Sequence, residues 1–153
     1  MNRKSTESKL NKISRRDLLV IAGAVLLIAI IYLLASYFTN SIGFPLDDSW
    51  IHQTYARNLA LRGEWAFRPG LPSAGSTSPL WSALLAIGFF VGLSPYIWTY
   101  FLGLLSLFAL AVLCEWTVRK LVNSYTPRFP WVGIFIAFEW HLVWAGMSGM
   151  ETL

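Results

Sequence analysis

Charge is scarce in this sequence, and cysteine is nearly absent. Only 13% of the 153 residues are charged while 56% are hydrophobic, whereas a soluble domain carries roughly a quarter charged residues. That deficit argues against a water-facing globular surface and for an all-α integral membrane protein. The single cysteine, Cys114, lies in an apolar run, so there is no internal disulfide and no basis for a thiol redox motif or a cysteine-based metal site. Internal repeats are also missing. No RNA- or DNA-binding pattern accompanies the net charge of +4, half of whose cations (Arg3, Lys4, Lys9, Lys12, Arg15, Arg16) precede the first apolar segment. Such a cluster suits the cytoplasmic side of a first spanning helix, and nucleic acid is not an expected partner.

Residues 1–17 are polar and predict a mobile cytoplasmic tail. Residues 18–38 form an uncharged run, and about 20 such residues cross the ~30 Å hydrocarbon layer as a helix. The run exceeds the roughly 7–15 residues of a signal-peptide core and no small-residue cleavage site follows it, so it reads as a spanning helix with its N-terminus inside. Residues 96–118 make a second full-length span. Residues 129–147 make a third, carrying Glu139 and His141; two positions apart on a helix, these should point in different directions and bond to different neighbours. Glu115 and Arg119 are spaced as an (i, i+4) pair near the headgroups.

Between the first two spans, residues 39–95 read as an external loop. Asn40 to Pro45 breaks the first helix, and Asp47 or Asp48 stands where an N-cap belongs, ahead of a helix over 48–61. Ile51, Tyr55 and Leu59 form one apolar stripe while Gln53, Arg57 and Asn58 lie away from it, which predicts an amphipathic helix in the membrane interface. Gly63 can end it. Residues 68–79 are too rich in proline and glycine for a regular helix. Residues 80–93 are apolar, but 14 residues span only about 21 Å as a helix. A re-entrant or interfacial position is expected for them, since it leaves Arg119, Lys120 and Arg128 in the cytoplasm. Trp65, Trp81 and Trp98 read as interfacial anchors. At the far end, Ser148 to Thr152 delivers Glu151 to the outer surface. Three spans with polar groups inside them make a poor finished bundle, so the chain is expected to be the N-terminal part of a larger enzyme.

Pro45 to Pro79 is the one long polar interval after the N-terminus, and it holds Asp47, Asp48 and Glu64, Arg57, Arg62 and Arg68, and His52. A carboxylate there can take a proton from a hydroxyl, and cations can stabilise a departing phosphate. Asp47 and Asp48 are the candidates for the first role, and Arg57, Arg62 and Arg68 for the second. Two adjacent carboxylates repel, so one can serve as base while the other caps the helix or binds a cation. His52, four residues after Asp48, falls on the same helical face, where it could orient that carboxylate; the alternative is a polar surface residue. Ser76, Thr77 and Ser78 could bond sugar hydroxyls or simply form a turn.

The order of these parts resembles the GT-C superfamily of membrane glycosyltransferases, which includes protein O-mannosyltransferases, aminoarabinose transferases and arabinofuranosyltransferases. The resemblance is carried by Asp47-Asp48, the Tyr-Ala-Arg-Asn-Leu-Ala run from Tyr55 to Ala60, Gly63, Thr77-Ser-Pro-Leu-Trp81 and Ser148-Gly-Met-Glu-Thr152. It implies many spanning helices with a large first extracytoplasmic loop of juxtamembrane amphipathic helices, in a multi-pass protein of the cell membrane. It implies a polyprenyl-phosphate sugar as donor and a glycan, lipid or protein hydroxyl as acceptor, with inversion. It also implies auxiliary roles for His52, Tyr55 and Glu151, and admits a divalent metal ion at Asp47, Asp48 and Glu151 with no other cofactor. A small non-catalytic multi-pass subunit and a transporter fragment, relaying protons through Glu139 and His141, are the alternatives.

Overall fold

The structure, a computed structural model, describes residues 13–39, 42–122, 125 and 127–152. The expected tail therefore lies outside the described residues as far as residue 12. Among the described residues the regular structure is helical: α1 (Arg15–Thr39), α2 (Asp48–Arg62), α3 (Pro79–Phe90), α4 (Pro95–Leu121), α5 (Trp131–Phe138) and α6 (Trp140–Met147). The exception is one isolated bridge between Arg68 and Leu71. Two helices, α1 with 25 residues and α4 with 27, are long and apolar enough to cross a membrane.

The first helix begins inside the segment expected to be tail. The Ser14 amide donates to Asp17 Oδ2 at 3.0 Å and the Asp17 amide to Ser14 Oγ at 3.2 Å, a reciprocal capping arrangement that satisfies two end amides and fixes the start. The third expected span, 129–147, is not one helix. Glu139 adopts extended backbone (φ −68, ψ 117) between α5 and α6, and its Oε2 accepts from the Leu142 amide at 2.9 Å, so it caps α6. That break turns His141 back, and its Nδ1 lies 2.8 Å from Glu139 Oε1. The two residues thus pair with each other, contrary to the divergence a continuous helix would impose.

The chain forms two compact units. The first comprises Met1–Asn40 and Leu104–Val143, the second Ser41–Gly103 and Trp144–Leu153. In the first, Ile21, Val25, Leu107, Ala111 and Ala137 are buried together with three charges, Asp17, Glu115 and Arg119. Arg119 donates from Nη1 to Asp17 Oδ2 at 3.0 Å and from Nε to Glu115 Oε1 at 2.6 Å. The other Glu115 oxygen accepts from the amides of Val132 and Gly133 at 3.0 and 3.1 Å, the open N-terminus of α5. The expected pair at the headgroups is therefore a buried three-helix tie: Glu115 is 0% and Arg119 2% exposed.

In the second unit α2 packs on α3, with Ala56, Trp81, Leu85 and Ala86 at the contact and Leu59, Phe89, Trp98 and Leu102 around it. The 12 residues of α3 span about 18 Å, short of the ~30 Å a bilayer core requires. Gly92, at φ +75, provides the left-handed turn that reverses the chain into α4. Trp98 then donates to the Leu84 carbonyl at 2.9 Å and covers Gly88, where a Cβ would sit 2.4 Å from its ring.

The stripe expected of α2 does not account for all that the helix buries. Its buried residues are Ser49, His52, Gln53, Tyr55, Ala56 and Asn58, while Ile51 and Leu59 are only half-buried and Trp50 and Leu61 are 43% and 67% exposed. Polar groups turn inward because each finds a partner there, and a buried polar group that is hydrogen-bonded avoids most of its desolvation cost. Trp81 likewise is buried, and its indole donates to the Gly149 carbonyl at 3.1 Å.

Candidate functional site

The polar face of α2 gathers sequence-distant pieces of the second unit. At its first turn the Ser49 hydroxyl donates to the Ser148 carbonyl at 2.7 Å. One turn on lies His52, 1% exposed. Its Nδ1 sits 3.1 Å from Ser82 Oγ and 3.3 Å from Ser76 Oγ, and the two hydroxyls are 2.8 Å apart. Its Nε2 lies 3.2 Å from Glu151 Oε2, within ion-pair distance, although the two are not aligned as a hydrogen bond. Gln53 donates to Thr99 Oγ1 at 2.7 Å, and its carbonyl oxygen is buried without a partner among the described residues.

The second half of α2 fixes the irregular loop. Asn58 Nδ2 donates to the carbonyls of Ala66 and Phe67 at 2.9 and 3.2 Å. The Tyr55 hydroxyl meets Ser73 Oγ at 2.6 Å and accepts from the Gly75 amide at 2.8 Å. A side chain at Gly75 would lie 2.9 Å from that hydroxyl, so the approach needs glycine. Gly63, at φ +68, closes the helix with its amide on the Leu59 carbonyl at 3.0 Å. Tyr55 thus packs its ring against Trp65 and Phe67, with centroids 5.3 and 6.2 Å away, and anchors 73–75 through its hydroxyl.

The acidic pair stands at the other end of α2. Asp47 occupies the N-cap position, and its Oδ1 accepts from the Asp48 amide at 3.0 Å; Asp48 is the first helical residue, and both are exposed. The cap therefore lies at Asp47, not at Asp48, the residue expected to share that duty. His52 does not orient Asp48; its recorded partners are Ser76, Ser82 and Glu151. In the same unit, Phe44, Trp50, Tyr96 and Tyr100 form an aromatic cluster, with the three partners' centroids 5.1–5.7 Å from that of Phe44, and the Tyr100 hydroxyl donates to the Gly43 carbonyl at 2.9 Å.

The three arginines are exposed and do not share a cavity. Arg57 lines one of about 160 Å³ with Trp50, Gln53, Thr54, Phe89 and Pro95. Arg68 lines another of about 190 Å³ with Phe67, Leu71 and Ser73, and Arg62 ends α2. Among the described residues no three His, Cys, Asp or Glu side chains form a metal-sized group, so Asp47, Asp48 and Glu151 are not drawn together as ligands. What the arrangement offers chemically is two accessible carboxylates at a helix start, a third held against a buried imidazole, and a cation on an aromatic-walled cavity.

Sequence reasoning gives no role to Ser49 or Ser82, although Ser49, His52 and Gln53 at i, i+3 and i+4 mark a polar face that could have been found. Set against known family models, curated proteins and solved structures, the chain matches none.

Proposed function

We propose that this protein is a multi-pass membrane glycosyltransferase that moves a sugar from a polyprenyl phosphate to an acceptor hydroxyl on the extracytoplasmic face. The observation that carries this reading is convergence. The stretches 47–48, 55–60, 77–81 and 148–152, which bear the family resemblance, belong to one compact unit and are joined through Ser49 to Ser148, His52 to Glu151 and Trp81 to Gly149. Structural helix capping alone gives no reason for a buried histidine to meet a carboxylate 99 positions later.

In the proposed reaction Asp47 or Asp48 takes the acceptor's hydroxyl proton as its oxygen attacks the anomeric carbon. The bond from that carbon to the phosphate oxygen breaks on the opposite face, which inverts the configuration, and polyprenyl phosphate leaves with the electron pair. In this reading Arg57 stabilises that phosphate, and the cavity it lines with Trp50 and Phe89 takes the start of the lipid. Because Asp47 bonds the Asp48 amide, Asp48 is the less committed carboxylate and the preferred base. The orientation has support of its own: Asp17 at the start of α1 meets Arg119 near the end of α4, so Arg15, Arg16, Arg119 and Lys120 fall on one face, the cytoplasmic one under the positive-inside rule.

The test uses Asp47→Asn and Asp48→Asn in membranes containing the protein, assayed with a panel of radiolabelled polyprenyl-phosphate sugars. One variant should retain donor binding and lose transfer by about 10²–10⁴-fold. Transfer at the parent rate in both would refute the mechanism and leave the pair as a helix cap and its neighbour.

A further inference from the structure

Nothing in the proposed reaction uses His52, yet it is a fully enclosed titratable group of the second unit, 1% exposed. Ser76, Ser82 and His52 are all buried. The His52 side chain is 2% exposed and that of Glu151 32%. Within Glu151 the exposure is uneven: Oε2, the atom facing the imidazole, is itself buried, so the accessible part is the rest of the side chain, Oε1 included. The carboxylate has an inner oxygen against the ring and an outer one toward solvent.

The hydroxyl pair defines the ring's chemistry. Ser76 and Ser82 can each donate as well as accept, and with one hydroxyl donating to the other, the second is free to donate to Nδ1. With the hydroxyls so arranged, a ring proton sits on Nε2, the nitrogen 3.2 Å from Glu151 Oε2. A histidine with one nitrogen fixed by a hydroxyl and the other offering N–H to a carboxylate is the arrangement by which proteins orient a functional acid or ligand. The backbone reinforces it, because Ser49 and Trp81 hold the carbonyls of Ser148 and Gly149 just upstream.

We infer that His52 is a positioning residue: the imidazole, fixed through Nδ1 by Ser76 and Ser82 and with Nε2 3.2 Å from Glu151 Oε2, holds that carboxylate by charge and proximity so that its outer oxygen faces the acceptor or donor hydroxyls of the transfer reaction. This rests on the glycosyltransferase reading only for the identity of what the outer oxygen meets. The pairing itself can be tested without activity.

The protein has two histidines, so ¹⁵N-histidine labelling of the purified protein in detergent gives two imidazole signal sets, with His141→Asn assigning them. His52 is expected as the Nε2–H form with a slowly exchanging proton, shifted by Glu151→Gln and, through the other nitrogen, by Ser82→Ala. A Thr152→Cys probe reads positioning directly. Its rate of reaction with a water-soluble maleimide should rise about tenfold when His52→Leu removes the donor, and return when His52→Gln restores an N–H. A rapidly exchanging His52 proton indifferent to Glu151→Gln overturns the inference, and so does a labelling rate that His52→Gln fails to restore. If His52→Leu does not fold, the Glu151→Gln and Ser82→Ala spectra, which keep His52, decide alone. Transfer activity reports separately: an intact pairing with Glu151→Gln still transferring at the parent rate removes Glu151 from the reaction and leaves the pairing standing.

Discussion

Three glycines on helices respond oppositely to the same methyl group, and the difference follows from what each would meet. At Gly103 an added Cβ would lie 1.8 Å from the Gly146 carbonyl oxygen and 2.8 Å from its carbon. Both are backbone atoms, so no rotamer relieves the clash, and α4 must part from α6 by about 1.5 Å to restore ordinary contact. At Gly133 the nearest atom is the tip of Ile21, 2.6 Å away, which can turn aside, while at Gly23 nothing lies within 4 Å. Overpacking costs about 1–3 kcal/mol and occasionally more, and alanine in a helix returns at most about 1 kcal/mol over glycine. Gly103→Ala should therefore lose about 2 kcal/mol net or more, Gly133→Ala less, and Gly23→Ala should be neutral or gain up to about 1 kcal/mol. For a chain of this size about 1 kcal/mol moves Tm by roughly 2–4 °C, so thermal unfolding in one detergent should place Gly103→Ala about 4–8 °C below the parent and Gly23→Ala at or above it. Gly146 lies two residues before Ser148, so the same variant should also loosen the Ser49 bond. A Gly103→Ala protein as stable as Gly23→Ala would refute the close backbone crossing.

The other predictions concern the two units separately. Arg119→Leu strands Asp17 and Glu115 without their shared cation, and removing one partner of a buried ion pair costs about 3–5 kcal/mol; adding Asp17→Asn and Glu115→Gln should recover much of it, and thermal unfolding that ranks the triple variant below Arg119→Leu would contradict the tie. Asn58→Ala leaves the Ala66 and Phe67 carbonyls without their donor, a loss of about 1–3 kcal/mol, and should speed trypsin cleavage at the exposed Arg62, which precedes Gly63; unchanged cleavage would show that the loop is held by other bonds. An Arg128→Cys probe in a Cys114→Ser background should react with a membrane-impermeant maleimide only after permeabilisation, and labelling in intact cells would reverse the proposed orientation.

How far the sequence could be read divides along the physics of each step. Composition suffices for the all-helical class, because apolar runs of about 20 uninterrupted residues are too long for strands and pair their backbone groups within the segment as helices. The break at Glu139 was hidden because apolar length says nothing about caps: a glutamate inside a hydrophobic run reads as an expensive guest, whereas here it is an N-cap that starts a new helix and takes His141 with it. The Glu115–Arg119 spacing was visible and its burial was not, since the third member, Asp17, is 102 positions from Arg119.

The packing of α2 is the most instructive case, because Tyr55 is buried and Arg57 exposed as the pattern implies, while Gln53 and Asn58, expected away from the apolar stripe, turn inward as well. Stripes of Ile51, Tyr55, Leu59 and of Ser49, His52, Gln53 both fit a helical period. Amphipathicity assigns the apolar stripe to the interior, but α2 buries members of both stripes, because a buried polar group that finds hydrogen-bond partners avoids most of its desolvation cost. Those partners, Ser148, Ser82, Thr99 and the Ala66 carbonyl, come from four separate segments, so hydrogen-bond complementarity together with apolar burial selects the face that α2 turns inward. The same selection enclosed His52 while leaving Asp47 and Asp48 exposed at the helix start: carboxylates are the most expensive of these groups to desolvate without a cation, and Glu151 enters only as far as the oxygen that His52 receives.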